Sequence, residues 1–468
     1  MSERLRGPAT YAVLMSAVTA FALLQAMVIP VLPAIQHALH ADARSVSWVV
    51  SAYLLAAAVA TPIVGRLGDV YGKKRTLVTV LAVLSVASLV AAYAPSLEVM
   101  VAARVLQGVG GGVMPLSLGI VRDEFSAERT SAAVGTLAAL GGIGASVGLV
   151  LAGPLVDLLG YRALFLAPMT LTAITAVVAA IVVPRSPSGS GGLSWLPAPF
   201  LSLSVAAFLL ATTQGTAWGW LDPRTLGLYG AAVVVGALWV RLERRAEHPV
   251  IDLDMLRLPA VRSANVVSFL LGLAMFGVYS YVPQLLQTPR TTGYGLGATV
   301  SESGLVLAPM AACVFLGGIA SARLTRRYGP RRVVIGASIV MALSLLTLVA
   351  ARSHAWEIAL TLTAYGFTLG VNLAALSTLV VVSVDPGQTA VASAVNFNVR
   401  NIGGAVGAAA MATVVTAGLR ADGLPQESGY VVGFVVLAAT MLVASVLAMA
   451  LPRTRAVAPA AQAPSPAV

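Results

Sequence analysis

Gly65-Arg66-Leu67-Gly68-Asp69-Val70-Tyr71-Gly72-Lys73-Lys74-Arg75 packs one acid, four bases and three glycines into eleven residues. It lies between Val46–Val64 and Leu77–Ala94, two apolar runs without a charged residue. Only 10% of the chain is charged, so this cluster predicts a tight, water-facing turn between two membrane-crossing helices. Gly65, Gly68 and Gly72 allow close backbone approach and a sharp reversal. Asp69 and Lys73 stand four apart and can pair across one helical face. A weaker copy begins 257 residues later, Ala322-Arg323-Leu324-Thr325-Arg326-Arg327-Tyr328-Gly329-Pro330-Arg331-Arg332. Arg66 and Arg323, Leu67 and Leu324, Tyr71 and Tyr328, and Gly72 and Gly329 coincide in register. One charged turn occurring twice points to two related halves, a common plan among secondary transporters. Two unrelated basic loops are the plainer alternative.

Composition carries the same message. Hydrophobic residues fill 58% of 468 positions, and apolar runs of helix-spanning length recur throughout. The short alternating segments of a membrane β-barrel are absent. A single cysteine, Cys313, excludes a disulfide framework and a Cys-based metal site. His37, His40, His248 and His354 fall in or near predicted loops, without metal-ligand spacing. No cofactor and no metal are expected. Without a nucleotide-binding loop, ATP-driven pumping is disfavoured.

The windows predict an all-α polytopic protein with fourteen spans, near 11–35, 46–65, 76–95, 98–120, 130–155, 161–184, 197–216, 225–241, 262–287, 301–322, 333–351, 356–382, 388–418 and 429–451. The first run is too long for a signal-peptide core and lacks a small-residue cleavage pattern, so it reads as a retained helix. Residues 1–184 form an expected amino-terminal six-helix half and 262–451 a carboxy-terminal one. Between them, 185–261 hold a Ser/Gly/Pro-rich flexible linker (Pro184–Gly192), an inserted helix pair and the charged segment Arg241–Leu258. Residues 452–468 are an expected disordered tail.

Charge sets the orientation. With both termini cytoplasmic, 21 of the 29 Lys and Arg fall inside and six outside, while Arg104 and Arg400 lie within spans. That asymmetry obeys the positive-inside rule and absorbs the net charge of +11 without nucleic-acid binding. All six tryptophans stand at or near span ends, as interfacial anchors do.

The first basic motif resembles the loop 2–3 signature of the major facilitator superfamily, Gly-x-Leu-x-Asp-x-x-Gly followed by two bases. The second copy departs from it, with Arg326 in the acid's place and Ala322 for the first glycine. Six spans, an inserted pair and six more resemble the fourteen-span drug:proton antiporters of that superfamily. The resemblance implies a secondary transporter in the inner (plasma) membrane, handling a small molecule and protons, and not an enzyme. A monomer is expected. It also implies that Asp69, Lys73 and Asp123, with Gly65 and Gly72, form a gating charge cluster.

Arg104 lies roughly 9 Å along span 4 from Glu98 at 1.5 Å per residue. An arginine at the centre of a membrane helix costs about 2.5–3.5 kcal/mol on insertion scales, so it should meet a wet cavity or an internal acceptor. Snorkelling to the interface is the alternative. With Gln107 and Gly108 it resembles the superfamily's Arg-x-x-Gln-Gly-x-Gly signature, whose arginine is associated with proton coupling. In span 5, Gly135, Gly144, Gly148 and Gly153 resemble the antiporter glycine ladder, although Leu149 replaces its proline and Ala152 one glycine. Such glycines also serve ordinary helix packing. Arg400 sits near the middle of span 13, with Asn396 four residues before it on one face. Arg400, Asn396, Gln25, Tyr53, Tyr365 and Asn372 are the candidates to line a central cavity, against a purely structural hydrogen-bonding role.

All eighteen acids lie in loops or within about two turns of a span end. The resembling subfamily usually carries a span-1 aspartate nine residues before the proline that matches Pro33, and here that position is Leu24, beside Gln25. The cavity should therefore be positive and should disfavour permanent cations, with Leu24→Asp expected to reverse that. Proton coupling would use an acid nearer a helix end, with Asp123, Asp157 and Glu302 the candidates. The expected function is proton-coupled export of a small hydrophobic compound by alternating access. An importer or uniporter of a small metabolite on the same fold is the alternative, and a polytopic membrane enzyme a remoter one. The topology is testable: reporter fusions at Gly189 and Ala458 should report the cytoplasm and one at Asp222 the exterior. A cytoplasmic signal at Asp222 would remove the inserted pair.

Overall fold

The computed structural model describes residues 3–28, 35–36, 38–40, 43–46, 48–185, 194, 196–418, 420 and 424–452. The Pro184–Gly192 linker beyond Arg185, Pro33, Trp195 and the tail Ala456–Val468 lie outside the described residues. The long helices are α1 (Glu3–Ala26), α2 (Trp48–Tyr71), α3 (Lys73–Ala92), α4 (Leu97–Glu124), α5 (Ala127–Leu159), α6 (Ala163–Val182), α7 (Pro197–Trp218) and α8 (Pro223–Glu243). They continue as α9 (Pro259–Gln287), α10 (Val300–Tyr328), α11 (Pro330–Ala350), α12 (Ala355–Ser383), α13 (Thr389–Thr416) and α14 (Glu427–Leu447). Among the described residues, 13 helices are long and apolar enough to cross a membrane. α5, at 33 residues, exceeds the length of about 20 that a crossing needs.

The predicted windows fall on these helices in order, but the quoted stretch is not the open turn expected of it. α2 runs through Arg66–Tyr71, and the chain reverses at Gly72 alone, whose φ of 97° an L side chain would resist. Gly329 does the same between α10 and α11 at φ 81°. Asp69 and Lys73, expected in water, are each only 4% exposed. The reason is packing: Gly68 leaves room for Leu116 of α4, whose Cδ2 would lie 2.2 Å from an added Cβ. The first window also overshoots, since α1 ends at Ala26.

Small residues decide which helices meet. α9 crosses α13 where a Cβ at Gly272 would come within 1.9 Å of the Arg400 carbonyl oxygen, and Gly403 and Gly407 face the Phe269 and Leu273 carbonyls likewise. α10 crosses α12 at Gly317 and Gly370 in the same manner. Lipid tails provide little hydrophobic drive between helices, so van der Waals packing of this closeness holds the bundle. α2 packs on α13 and α5 on α10, joining helices from the first 184 residues to those after 258. α7 packs on α8 and also reaches α2 and α13. Exposed Ile181, Val233 and Val234 leave apolar surface on the outside, as a lipid-facing bundle requires.

Gly272→Ala should lower the melting temperature and the monodisperse yield of purified protein, because overpacking a close crossing costs about 1–3 kcal/mol. Gly230→Ala on α8, where an added Cβ meets nothing within 4 Å, is the matched control and should be neutral.

Candidate functional site

Two regions gather polar residues, one at the end of the bundle that carries the Gly72 and Gly329 turns and one at mid-depth. At the motif end, Lys73 Nζ lies 2.9 Å from both Asp123 carboxylate oxygens and 3.7 Å from Asp69 Oδ1. Asp123 ends α4, so the lysine joins two helices while the Gly72 break lets it turn back over α2. Lys73 also donates to the Pro386 carbonyl, 3.3 Å away in the turn before α13. Asp69 Oδ2 in turn accepts the Val391 amide at 3.0 Å. First-turn amides of a helix lack intrahelical acceptors and carry partial positive charge, so this carboxylate caps α13 from a different helix. Gly65 allows the approach: its added Cβ would lie 2.9 Å from Ala394 Cβ and 3.0 Å from the Ala390 oxygen.

Three further contacts at this end were not legible from the motif. Arg122 donates to the Val381 carbonyl at the end of α12 and to Thr389 Oγ1 at 3.1 Å. Gln388 Nε2 donates to Asp252 Oδ2 at 2.9 Å. Glu243, 2% exposed at the end of α8, accepts from Trp239 Nε1 and the Ile251 amide. The charged connection Arg241–Leu258 is thus bolted to the bundle.

Arg104 is 1% exposed, which excludes snorkelling. Its Nε donates to the Val49 carbonyl at 2.9 Å, its Nη1 to Gln107 Oε1 at 2.7 Å, and its guanidinium stands 4.2 Å from the Tyr53 ring centre. Gln107 continues the chain to Ser88 Oγ at 2.9 Å. Arg104 therefore ties α2, α3 and α4 together through internal acceptors. Gly108 begins a 3-10 segment, Gly108–Gly112, and fits against α2, where Ala56 Cβ would be 2.5 Å from an added Cβ. On α5, Gly135 packs against the Gly318 carbonyl of α10, while Gly144 and Gly148 take Ala22 and Ala26 of α1. Gly153 lies in the same helix.

At mid-depth a cavity of about 630 Å³ runs from Arg400 to the Thr288–Pro289 and Leu424–Pro425 connections at the far end. Phe21, Met114, Met275, Phe276 and Leu373 supply apolar walls, and among the described residues Arg400 is the one charged side chain lining it. Towards the motif end the path narrows to a void of about 10 Å³ behind Met114, Phe397 and Arg400.

Of the six cavity candidates, Gln25 and Arg400 line this space. The others do not. Asn396 is spent on Asn265 Oδ1 and Ser268 Oγ of α9, and it touches only the small void. Asn372 faces Ser338 and Met341 of α11. Tyr53 lies under Arg104, and Tyr365 is fully buried with no hydrogen-bond partner for its hydroxyl among the described residues. Leu24 is 1% exposed and turned into the core, so Leu24→Asp would bury a carboxylate outside the cavity; the facing position is Gln25. Asn401 lines it as well, as do Tyr279 and Gln284, which escaped the sequence reading. Glu302 is exposed and caps α10 in a reciprocal pair with Thr299. The Asp157 side chain lies outside the described residues.

A bundle of membrane-length helices around a cavity that reaches one end and is plugged towards the other defines a multi-pass membrane transporter of small molecules. The Major Facilitator Superfamily model matches residues 14–408 and, in an overlapping match, 264–467. The chain belongs to that family, and it is a secondary-active transporter and not an enzyme. The tetracenomycin C resistance and export protein of Streptomyces glaucescens is 29% identical over 391 residues, covering 82% of this chain and 71% of its own. The drug efflux pump JefA of Mycobacterium tuberculosis is 30% identical over 398 residues, covering 83% and 77%. Among solved structures, the human organic anion transporter MFSD10 superposes with a TM-score of 0.69 at 17% identity, covering 96% of this chain and all of its own. The proton:xylose symporter XylE gives 0.65 at 13% identity, covering 95% of each chain.

Asp69→Asn removes the charge that faces both Lys73 and the α13 amides. Lys73 keeps its Asp123 partner, so the variant loosens the hold on α13 without stranding the lysine, and transport should fall at least tenfold while the amount of protein in the membrane stays unchanged. Near-normal transport would reduce the motif to a topology signal.

Proposed function

We propose that the protein exports a small, largely apolar compound from the cytoplasm across the inner (plasma) membrane in exchange for protons. The observation that carries this reading is the cavity: apolar-walled, free of acids among the described residues, reaching the end opposite the basic motifs and plugged on the motif side. Its volume is within the range of about 300–1,000 Å³ common to small-molecule sites. The names of the two relatives at 29% and 30% identity, an export protein and an efflux pump, favour the outward direction.

In this reading α5 is a span, giving fourteen: two six-helix halves within 1–184 and 262–451, and α7–α8 as the pair inserted between them. Both termini and both basic motifs are cytoplasmic, by the positive-inside bias. The two halves rock about the mid-depth cavity. The Asp69–Lys73–Asp123 cluster closes the cytoplasmic side in the outward-facing form, and inward opening must part Asp69 from the α13 amides. Arg104, Gln107 and Gly108 serve coupling, since Arg104 touches α2 and α4 and, through Gln107, α3. The Gly135, Gly144 and Gly148 contacts give α5 a close sliding surface on α10 and α1. With no acid on the cavity wall among the described residues, proton exchange is assigned to Asp123 at the end of α4.

Efflux of a substrate library from energised cells tests this. Export should collapse with a protonophore, and Gln25→Glu, which gives the cavity an acid, should raise export of a quaternary ammonium dye several-fold over wild type. Robust export of that dye by the unmodified protein, or export indifferent to the protonophore, would contradict the reading.

A further inference from the structure

Among the described residues two arginines are buried, and only one is complete. Arg104 meets the Val49 carbonyl, Gln107 and the Tyr53 ring. Arg400 is equally enclosed, at 8% exposure, yet among the described residues its guanidinium has neither a carboxylate partner nor a hydrogen-bond acceptor. One contact is visible: the guanidinium stands 4.9 Å from the Phe397 ring centre. A ring over one face leaves the five in-plane N–H donors for a planar, two-oxygen acceptor. A buried charge without a partner is costly, and the structure retains this one at the floor of the cavity.

The rest of the cavity says what kind of molecule would bring the acceptor. Its walls are chiefly apolar, through Phe21, Met275, Phe276 and Leu373, so the body of the ligand is hydrophobic. Its remaining polar lining, Gln25, Tyr279, Gln284 and Asn401 among it, is uncharged at neutral pH and can take hydroxyls or carbonyls. One cation and no acid allow one negative charge; a second would stand unneutralised in a low-dielectric site, and a cation would face Arg400 unscreened. We propose that the cargo is an amphipathic organic monoanion, a hydrophobic body bearing one carboxylate, held by a bidentate pair with Arg400. Arg400 then discriminates by charge, and the apolar walls discriminate by bulk.

This rests on the cavity being the substrate site, and its test is kept separate from export. Pyrenebutyrate, its methyl ester and pyrenebutyl-trimethylammonium share one apolar body and differ in charge. Their binding to purified protein in lipid nanodiscs is read by fluorescence polarisation. Wild type should bind the carboxylate about tenfold tighter than the ester, with the ammonium weakest. Arg400→Gln should bring carboxylate and ester together while leaving the ester's affinity within about twofold, and Arg400→Lys should keep the preference. Equal binding of carboxylate and ester by wild type, binding of none of the three, or a preference that survives Arg400→Gln would overturn the proposal, since water alone would then satisfy Arg400. If Arg400→Gln yields no folded protein, the wild-type ratio decides. Protonophore-sensitive efflux of the ester without a carboxylate preference in binding would sink this inference and leave the exporter standing. A clear binding preference without such efflux would do the reverse.

Discussion

Asp69 has to be neutralised from two directions, and the structure is arranged around that need. Its carboxylate faces Lys73 on one side and the first-turn amides of α13 on the other. The glycine at 65 exists in contact with α13, the glycine at 68 in contact with α4, and the glycine at 72 turns the chain so that Lys73 can return. Remove any of these and the acid is left partly desolvated without its partners. Such a group is satisfied only while both sets of helices are together, which fits the gating role proposed for it. Arg122, reaching α12 and Thr389, and Gln388, reaching Asp252, close the same seam.

The two arginines show how the same residue type is put to different ends by depth and neighbours. Arg104 is a fastener: every contact it makes is to a helix of the first 184 residues. Arg400 lies where α13 crosses Gly272 of α9, and its carbonyl oxygen is packed tightly while its guanidinium reaches the cavity. A backbone held by close packing beneath a charged head suits the charge-reading role proposed for Arg400.

Much of this was written plainly in the sequence, in features that depend on composition and long spacing. Helix order and approximate position follow from apolar runs, and the Asp69–Lys73 pair follows from a spacing of four, whereas Asp123 joins it only through the resemblance to the family. What could not be read was rotation. A helix places Leu24 and Gln25 about 100° apart, and no feature of the run decides which of them faces inward; Asn396 and Asn401 pose the same problem on α13. Partners formed by backbone groups were also hidden, because the Val391 amide and the Val49 and Val381 carbonyls carry no side-chain signature. The Gly72 turn was misjudged for a related reason: glycines mark reversals and close crossings alike, and Gly65 and Gly68 are of the second kind.

The claim on which the rest depends is that the α2–α4 charge cluster clamps the start of α13. Double electron–electron resonance measures this directly, with spin labels at Arg75→Cys and Gly387→Cys in a Cys313→Ala background. Arg75 and Gly387 are both exposed, so the labels leave the packing undisturbed. Otherwise unmodified protein should give one predominantly short distance, shifting to a longer, broader distribution when Asp69→Asn is added. Identical distributions with and without that carboxylate would contradict it.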